Sequence, residues 1–218
     1  PGPAKIEKAD CYKSNANMWR ITDDFWDHWP LLANMFERCE LWQTHVSPGN
    51  YPDCDMLPIG YLGKGFGEER YDNFTLDEAR TMMTLWSMFH SHLMMGGELT
   101  KLDDRVLSLL THREILSLLS HDYQARQLIR TETEAIWVSQ LVSDNDGPHP
   151  YSLVIALFNL TGTPREMTFD CHELPMTQSS QGIKKGLELW TREVIEIVDQ
   201  LLKCQVPAHG VAVWGFKG

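Results

Sequence analysis

The chain lacks the marks of several common protein classes. Its five cysteines (Cys11, Cys39, Cys54, Cys171, Cys204) are scattered, odd in number and never spaced C-x-x-C. That argues against a disulfide scaffold and against a structural zinc site. No basic cluster exceeds a pair, and the formal net charge is −11, so nucleic acid and anionic membrane surfaces are poor partners. The longest apolar runs, such as SLVIALFNL, fall well short of the roughly 20 residues that cross a bilayer. No leader-like segment opens the chain, which begins at Pro1-Gly2-Pro3 without methionine. That start fits an excised piece of a longer polypeptide as well as a clipped initiator. Secreted, periplasmic and cytoplasmic locations all stay open. What is present is ordinary for a globular protein: 43% hydrophobic and 22% charged residues. Two tripeptides, Asn73-Phe74-Thr75 and Asn159-Leu160-Thr161, have the form of glycan acceptors.

Along the chain, NMWRIT (17–22) reads as a short strand, with a helical stretch starting at Asp24. Pro30 suits a first helical turn, and Leu31, Leu32, Met35, Phe36, Cys39 and Trp42 recur at helical spacing. DMLPIGY (55–61) reads as a second strand, followed by a polar loop, LGKGFGEERYDNF. Its GKGFG segment lacks the remaining residues of a phosphate cradle and reads as a rim loop. Thr75 and Glu78 form a capping box that opens the next helix, and HLMMGG (92–97) reads as a third strand. Two short helices, near 103–110 and 112–119, complete this half. Strands about 37 residues apart, each followed by a helix, predict parallel β/α units with right-handed crossovers. Beyond residue 121 the texture changes to strand-like runs broken by SDNDGPHP, TGTP and VPAHG, which predicts an antiparallel β-sandwich. The expected domains are therefore 1–121 and 122–218. Three parallel strands leave an open edge, so residues 1–121 are read as the last three strands of a (β/α)8 barrel. The exposed edge predicts self-association.

The chemistry concentrates in WRITDDFWDHW (19–29), which holds Asp23, Asp24 and Asp27 among three tryptophans. Asp23 and Asp24 follow a strand directly, where barrel enzymes carry reactive groups. Most acids at such junctions cap the following helix, and most barrel aromatics are core. Arg20 is in the simplest reading a salt-bridge partner of these acids. An acid pair, an arginine and aromatics at one barrel mouth point to sugar recognition, with charged partners for hydroxyls and a flat wall for a pyranose face. His90, His92, His112 and His121 lack helical spacing and clustered acids, so no metal site is expected.

The motifs NMWRITDDFWDHW, PDCDMLPIG and TMMTLWSMFHSHLMMGGEL resemble the last three strands of glycoside hydrolase family 27, the α-galactosidase and α-N-acetylgalactosaminidase family. Residues 1–120 carry the resemblance; the trailing sandwich is similar to the family's C-terminal domain more loosely. The sequence departs from the family pattern at His92 and at LLSHD (118–122). The resemblance implies a retaining exo-acting α-glycosidase working by double displacement on terminal α-linked galactose-like sugars, with no cofactor. It implies that Asp24 is the general acid/base and that Arg20 grips the substituent on the sugar's C2. Met56, within Asp55-Met56-Leu57, is implied as pocket wall. Asp23 then falls to capping and Asp27 to structural hydrogen bonding. The family nucleophile belongs to an earlier strand with no counterpart among residues 1–23, so the isolated chain is expected to be inactive. The alternative is a non-catalytic carbohydrate-binding or structural fragment. The segment around Ala4 lies where the family contacts the C2 substituent; being small and acid-free, it leans toward an N-acetyl group.

Overall fold

A computed structural model describes residues 2–63, 67–174 and 185–217. The chain divides into two compact units, Pro1–His121 and Asp122–Gly218.

The first unit opens with a 3-10 turn (Ile6–Lys8) running into helix α1 (Ala9–Asn15), a helix the sequence reading had not anticipated. Strand β1 (Met18–Arg20) pairs in parallel with β2 (Tyr51–Asp53), in the register Met18↔Tyr51 and Arg20↔Asp53. The second strand therefore lies upstream of the expected 55–61. Within that stretch Asp55 is left-handed (φ 76°) and Pro58 has no N–H, so only a single parallel bridge forms, Leu57↔Met95. The same bridge is all that remains of the expected third strand at 92–97. The described residues thus make a two-stranded parallel sheet and a parallel bridge, not a closed barrel. The polar loop after residue 60 also contains more order than expected: β3 (Tyr61–Leu62) pairs antiparallel with β4 (Arg70–Tyr71). The remainder of the GKGFG segment, 64–66, lies outside the described residues.

Helix α2 (Trp29–Trp42) begins five residues after Asp24, with Pro30 in its first turn, and buries Leu32, Met35, Phe36, Cys39 and Trp42. Helix α3 (Leu76–Phe89) starts at the expected capping box: Thr75 accepts from the Glu78 N–H while the Glu78 carboxylate accepts from the Thr75 N–H. It is buried continuously from Thr81 to Phe89, which makes it the unit's central helix. Helices α4 (Asp104–Leu110) and α5 (Arg113–Leu116) follow, with Asp103 capping α4.

The second unit is two sheets packed face to face. A six-stranded antiparallel sheet has the order β10 (Val194–Glu196), β9 (Lys185–Glu188), β12 (Val211–Phe216), β7 (Leu153–Asn159), β6 (Glu134–Leu141), β5 (Tyr123–Arg130). Facing it are β8 (Arg165–Asp170) and β11 (Leu201–Val206), also antiparallel. Alternate residues of the two sheets share one core: Ile136 and Val138, Leu153, Ile155 and Leu157, Met167 and Phe169, Leu202 and Val206, Trp214 and Phe216. That alternation is the signature of sheets buried on a common inner face. Buried polar groups are tied into the loops. Glu188 accepts from the Val213 and Thr191 N–H groups, and Asn159 donates to the Thr163 and Pro207 carbonyls. Asn159 is wholly buried, so the second glycan-acceptor tripeptide is a structural corner. Asn73, in the first, is exposed.

Candidate active site

The parallel pairing of β1 and β2 brings their C-terminal ends together, and the chemistry collects there. Arg20 closes β1. Its guanidinium spans two carboxylates, donating to Asp24 at 2.5 Å and to Asp55 at 2.8 Å, while its Nε reaches the Thr22 carbonyl at 3.3 Å. Burial alone would lower the Arg20 pKa; the hydrogen bonds and charges of Asp24 and Asp55 outweigh it and raise it. Arg20 is therefore a permanent cation held between two acids.

The second carboxylate, Asp55, opens the expected strand 55–61 and the Asp55-Met56-Leu57 stretch, and its role is larger than either placement implies. One oxygen takes Arg20; the other accepts the Phe25 N–H at 2.8 Å. Its own carbonyl accepts from the Trp86 indole at 3.1 Å. Asp55 so fixes both the arginine and the turn that carries Asp24. Its left-handed backbone conformation is one that Asp adopts more readily than most residues. Arg38, from α2, adds a further tie by donating to the Ile21 carbonyl at 3.0 Å.

Asp24 itself projects outward: its side chain is 79% exposed, with Arg20 as its hydrogen-bond partner. Asp23 is exposed too, but no helix starts beside it, so the capping role expected for it fails. The residue before α2 is His28, and no side chain caps that helix. Segment 24–28 is irregular: the Phe25 N–H goes to the Asp55 carboxylate and the His28 N–H to the Trp26 carbonyl. Asp27 behaves as expected of a structural acid. It is fully buried and holds Arg70 through both oxygens at 2.5 and 2.7 Å, and it accepts the Asn73 N–H at 2.6 Å. Burial would raise its pKa; Arg70 and the backbone donor outweigh that and lower it.

The other expected site residues surround this cluster less directly. Ala4 is half-buried beside β1, its N–H donating to the Arg20 carbonyl at 2.8 Å. It thus touches the arginine's backbone. Met56 follows Asp55 and lies over Gly96, where an added Cβ would come within 2.6 Å of the sulfur. A side chain at Gly96 would have to push that thioether aside. Of the aromatics, Trp19 stacks inside against Tyr12 at 5.9 Å and Phe25 packs on Trp86 at 4.9 Å, so both are core. Among the described residues, no group of three or more His, Cys, Asp or Glu side chains is placed to hold a metal ion, and no helix is long and apolar enough to cross a membrane.

A cationic clamp between an exposed and a half-buried carboxylate stands at the C-terminal ends of parallel strands, the place where β/α enzymes carry their sites. Residues 4–121 match the family model described as Alpha galactosidase A, and the chain belongs to that family, glycoside hydrolase family 27. The crystal structure of Abp, a family 27 β-L-arabinopyranosidase from Geobacillus stearothermophilus, is similar over the whole chain, with 38% identity and a TM-score of 0.87. A putative α-N-acetylgalactosaminidase from Bacillus halodurans is similar with 33% identity and a TM-score of 0.76. This chain covers 48% of each of those two chains. An α-galactosidase from Cyamopsis tetragonoloba is 21% identical over 204 residues, which are 93% of this chain and 45% of that protein. The chain thus spans about half the length of the curated relatives it matches. Matches of this breadth fit an α/β first unit followed by a sheet domain.

Proposed function

We propose that this chain carries the general acid/base half of a retaining glycosidase acting on galactose-configured pyranosides, with Asp24 as the proton carrier. The observation that carries the proposal is the Arg20 clamp, which holds the exposed Asp24 and the pinned Asp55 at one strand-end cluster. Asp24 is solvent-facing and oriented by a cation, as a group that must exchange protons with a bound glycoside needs to be. The nucleophile lies in polypeptide outside residues 1–218, on the remaining strands of a (β/α)8 barrel of which β1, β2 and the Leu57↔Met95 bridge are the last members.

In the first step that nucleophilic carboxylate attacks the anomeric carbon while Asp24 gives its proton to the departing glycosidic oxygen. In the second, Asp24, now a carboxylate, takes a proton from water as the water oxygen displaces the enzyme ester. Arg20 and Met56 border the sugar, Arg20 at its C2 substituent, with the Ala4 segment beside it. The substrate class follows from what the relatives' activities share. A β-L-arabinopyranoside is an α-D-galactopyranoside without its hydroxymethyl group, and an α-N-acetylgalactosaminide differs only at C2. The ring stereochemistry is common to all three.

Two measurements test this. In the full-length protein, Asp24→Ala should lose about 10²–10⁴-fold in kcat/KM on glycosides with poor leaving groups, and far less with dinitrophenyl leaving groups. Added azide should restore turnover and give a glycosyl azide of retained configuration. An unchanged rate, or an inverted azide product, would refute Asp24 as acid/base. The isolated chain should show no hydrolysis of an aryl α-galactoside, and a clear rate would place the nucleophile within it. The open parallel sheet also predicts association of the isolated chain, readable as mass in solution.

A further inference from the structure

The loop after residue 60 is held more firmly than a plain rim loop requires. Asp72 closes the base of the β3–β4 hairpin: its fully buried side chain accepts the Gly60 N–H at 2.7 Å and the Arg105 guanidinium. The Asp72 N–H in turn donates to the Gly60 carbonyl at 2.8 Å. A second tie comes from Arg70, which reaches the buried Asp27. Arg70 and Leu62 are register partners, as are Tyr61 and Tyr71. Side chains alternate along a strand, so the face with Arg70 and Leu62 turns to the body of the unit and the tyrosine pair turns away. Two buried acids thus fix a hairpin whose outer face is aromatic.

That face stands on the same rim as the Asp24 cluster. Leu57 and Met95 bridge in parallel, and both segments run on in one direction, to Tyr61 four residues later and to Lys101 six residues later. The Glu98 N–H joins them by donating to the Tyr61 carbonyl at 2.8 Å. Asp27 holds Arg70 and the Asn73 N–H on either side of Tyr71, and lies three residues from Asp24, at most about 10 Å of chain. Tyr61 is occupied on several sides. Lys101 Nζ sits 3.6 Å from its ring centroid, its hydroxyl donates to Glu69, and Tyr71 meets it edge-on at 5.3 Å. Tyr71 stays 56% exposed. Lys101 and Glu69 are 3.9 Å apart and their side chains are about half exposed, so each keeps hydrogen-bonding capacity for a third group. An open aromatic ring flanked by one donor and one acceptor of balancing charge matches a neutral hydroxylated ring, with its C–H face on the tyrosine and its hydroxyls on the ions.

We propose that Tyr71, backed by Tyr61, Glu69 and Lys101, is the subsite for the leaving group, and that the leaving group is itself a sugar. The substrate is then an oligosaccharide. The inference rests on the glycosidase reading above, in which Asp24 protonates the oxygen that joins the two rings. The test compares, in the full-length protein, an α-galactosyl glucose disaccharide with α-galactosyl fluoride, whose leaving group is one atom and needs no proton. Tyr71→Ala, a change at an exposed position, should lower kcat/KM on the disaccharide about tenfold relative to the fluoride. Tyr71→Phe keeps the ring and should hold that ratio within about twofold of the parent. Lys101→Met should lower it about threefold. A parent protein that turns over neither substrate would refute the glycosidase reading and this inference with it. A parent that hydrolyses the fluoride alone, or an unchanged ratio in Tyr71→Ala, overturns this inference only.

Discussion

Asp24 and Asp27 sit three residues apart on one turn and each meets an arginine, yet their surroundings differ in kind. Asp27 has no exposed surface and accepts three hydrogen bonds, two from Arg70 and one from the Asn73 backbone. Asp24 is largely solvent-facing and accepts from Arg20. A carboxylate whose lone pairs are taken and whose water is gone cannot trade protons without breaking the fold. One anchored at a single oxygen can. Saturation, rather than the presence of a cationic neighbour, therefore separates the structural acid from the one proposed to react.

Substitutions can break or sharpen that contrast. The largest expected effect is on turnover: in the full-length protein, Asp24→Asn should cut kcat by about 10²–10⁴-fold on substrates that need acid assistance. An effect below tenfold would erase the distinction. Next is Asp27→Ala, which strands Arg70 and the Asn73 N–H and should cost about 3 kcal/mol in urea unfolding. The cost is moderated because Arg70 is partly exposed. Third is an acid limb. The Asp27 pKa is depressed in the folded state, so its stabilisation is complete above the unfolded carboxylate value of about 4 and is lost as pH falls through the folded value. Stability should drop more steeply below pH ~4 in the native sequence than in Asp27→Asn. Parallel acid limbs would contradict the assignment. The smallest effect belongs to Asp24→Asn in unfolding, within about 0.5 kcal/mol of the parent, because exposed ion pairs contribute little. A loss of several kcal/mol there would make Asp24 structural after all.

Local signals in the sequence were readable and long-range ones were not. Thr75 and Glu78 are three residues apart and cap each other, so their pairing is written in the spacing. The Trp19-Arg20 motif and Asp24 are similarly close, and the first strand lies where MWR puts it. Asp55 is 35 residues from Arg20, and nothing in DMLPIGY says that its carboxylate will take a backbone donor from the preceding β/α turn. The helix expected at Asp24 begins only at Trp29, after a turn in which Asp55 accepts the Phe25 N–H and Asp27 accepts from Arg70 and the Asn73 N–H, all partners more than 25 residues away in the chain. The apolar run at 55–61 looked like a strand because periodicity does not register a left-handed Asp or the missing donor of Pro58. In the second unit, LLKCQV (201–206) carries a weak strand signal, because its inward positions are shared among Leu, Cys and Val around a lysine. Its partner β8 is what makes it a strand.

The corner at Asn159 has a consequence for biosynthesis. Its amide nitrogen is already committed to two carbonyls in the folded protein, so an oligosaccharide could be attached only while the polypeptide is still nascent. A chain modified there could no longer close that corner. In a host that adds N-linked sugars, molecules carrying mass at Asn159 should accumulate among the misfolded, while those carrying it at the exposed Asn73 should mature.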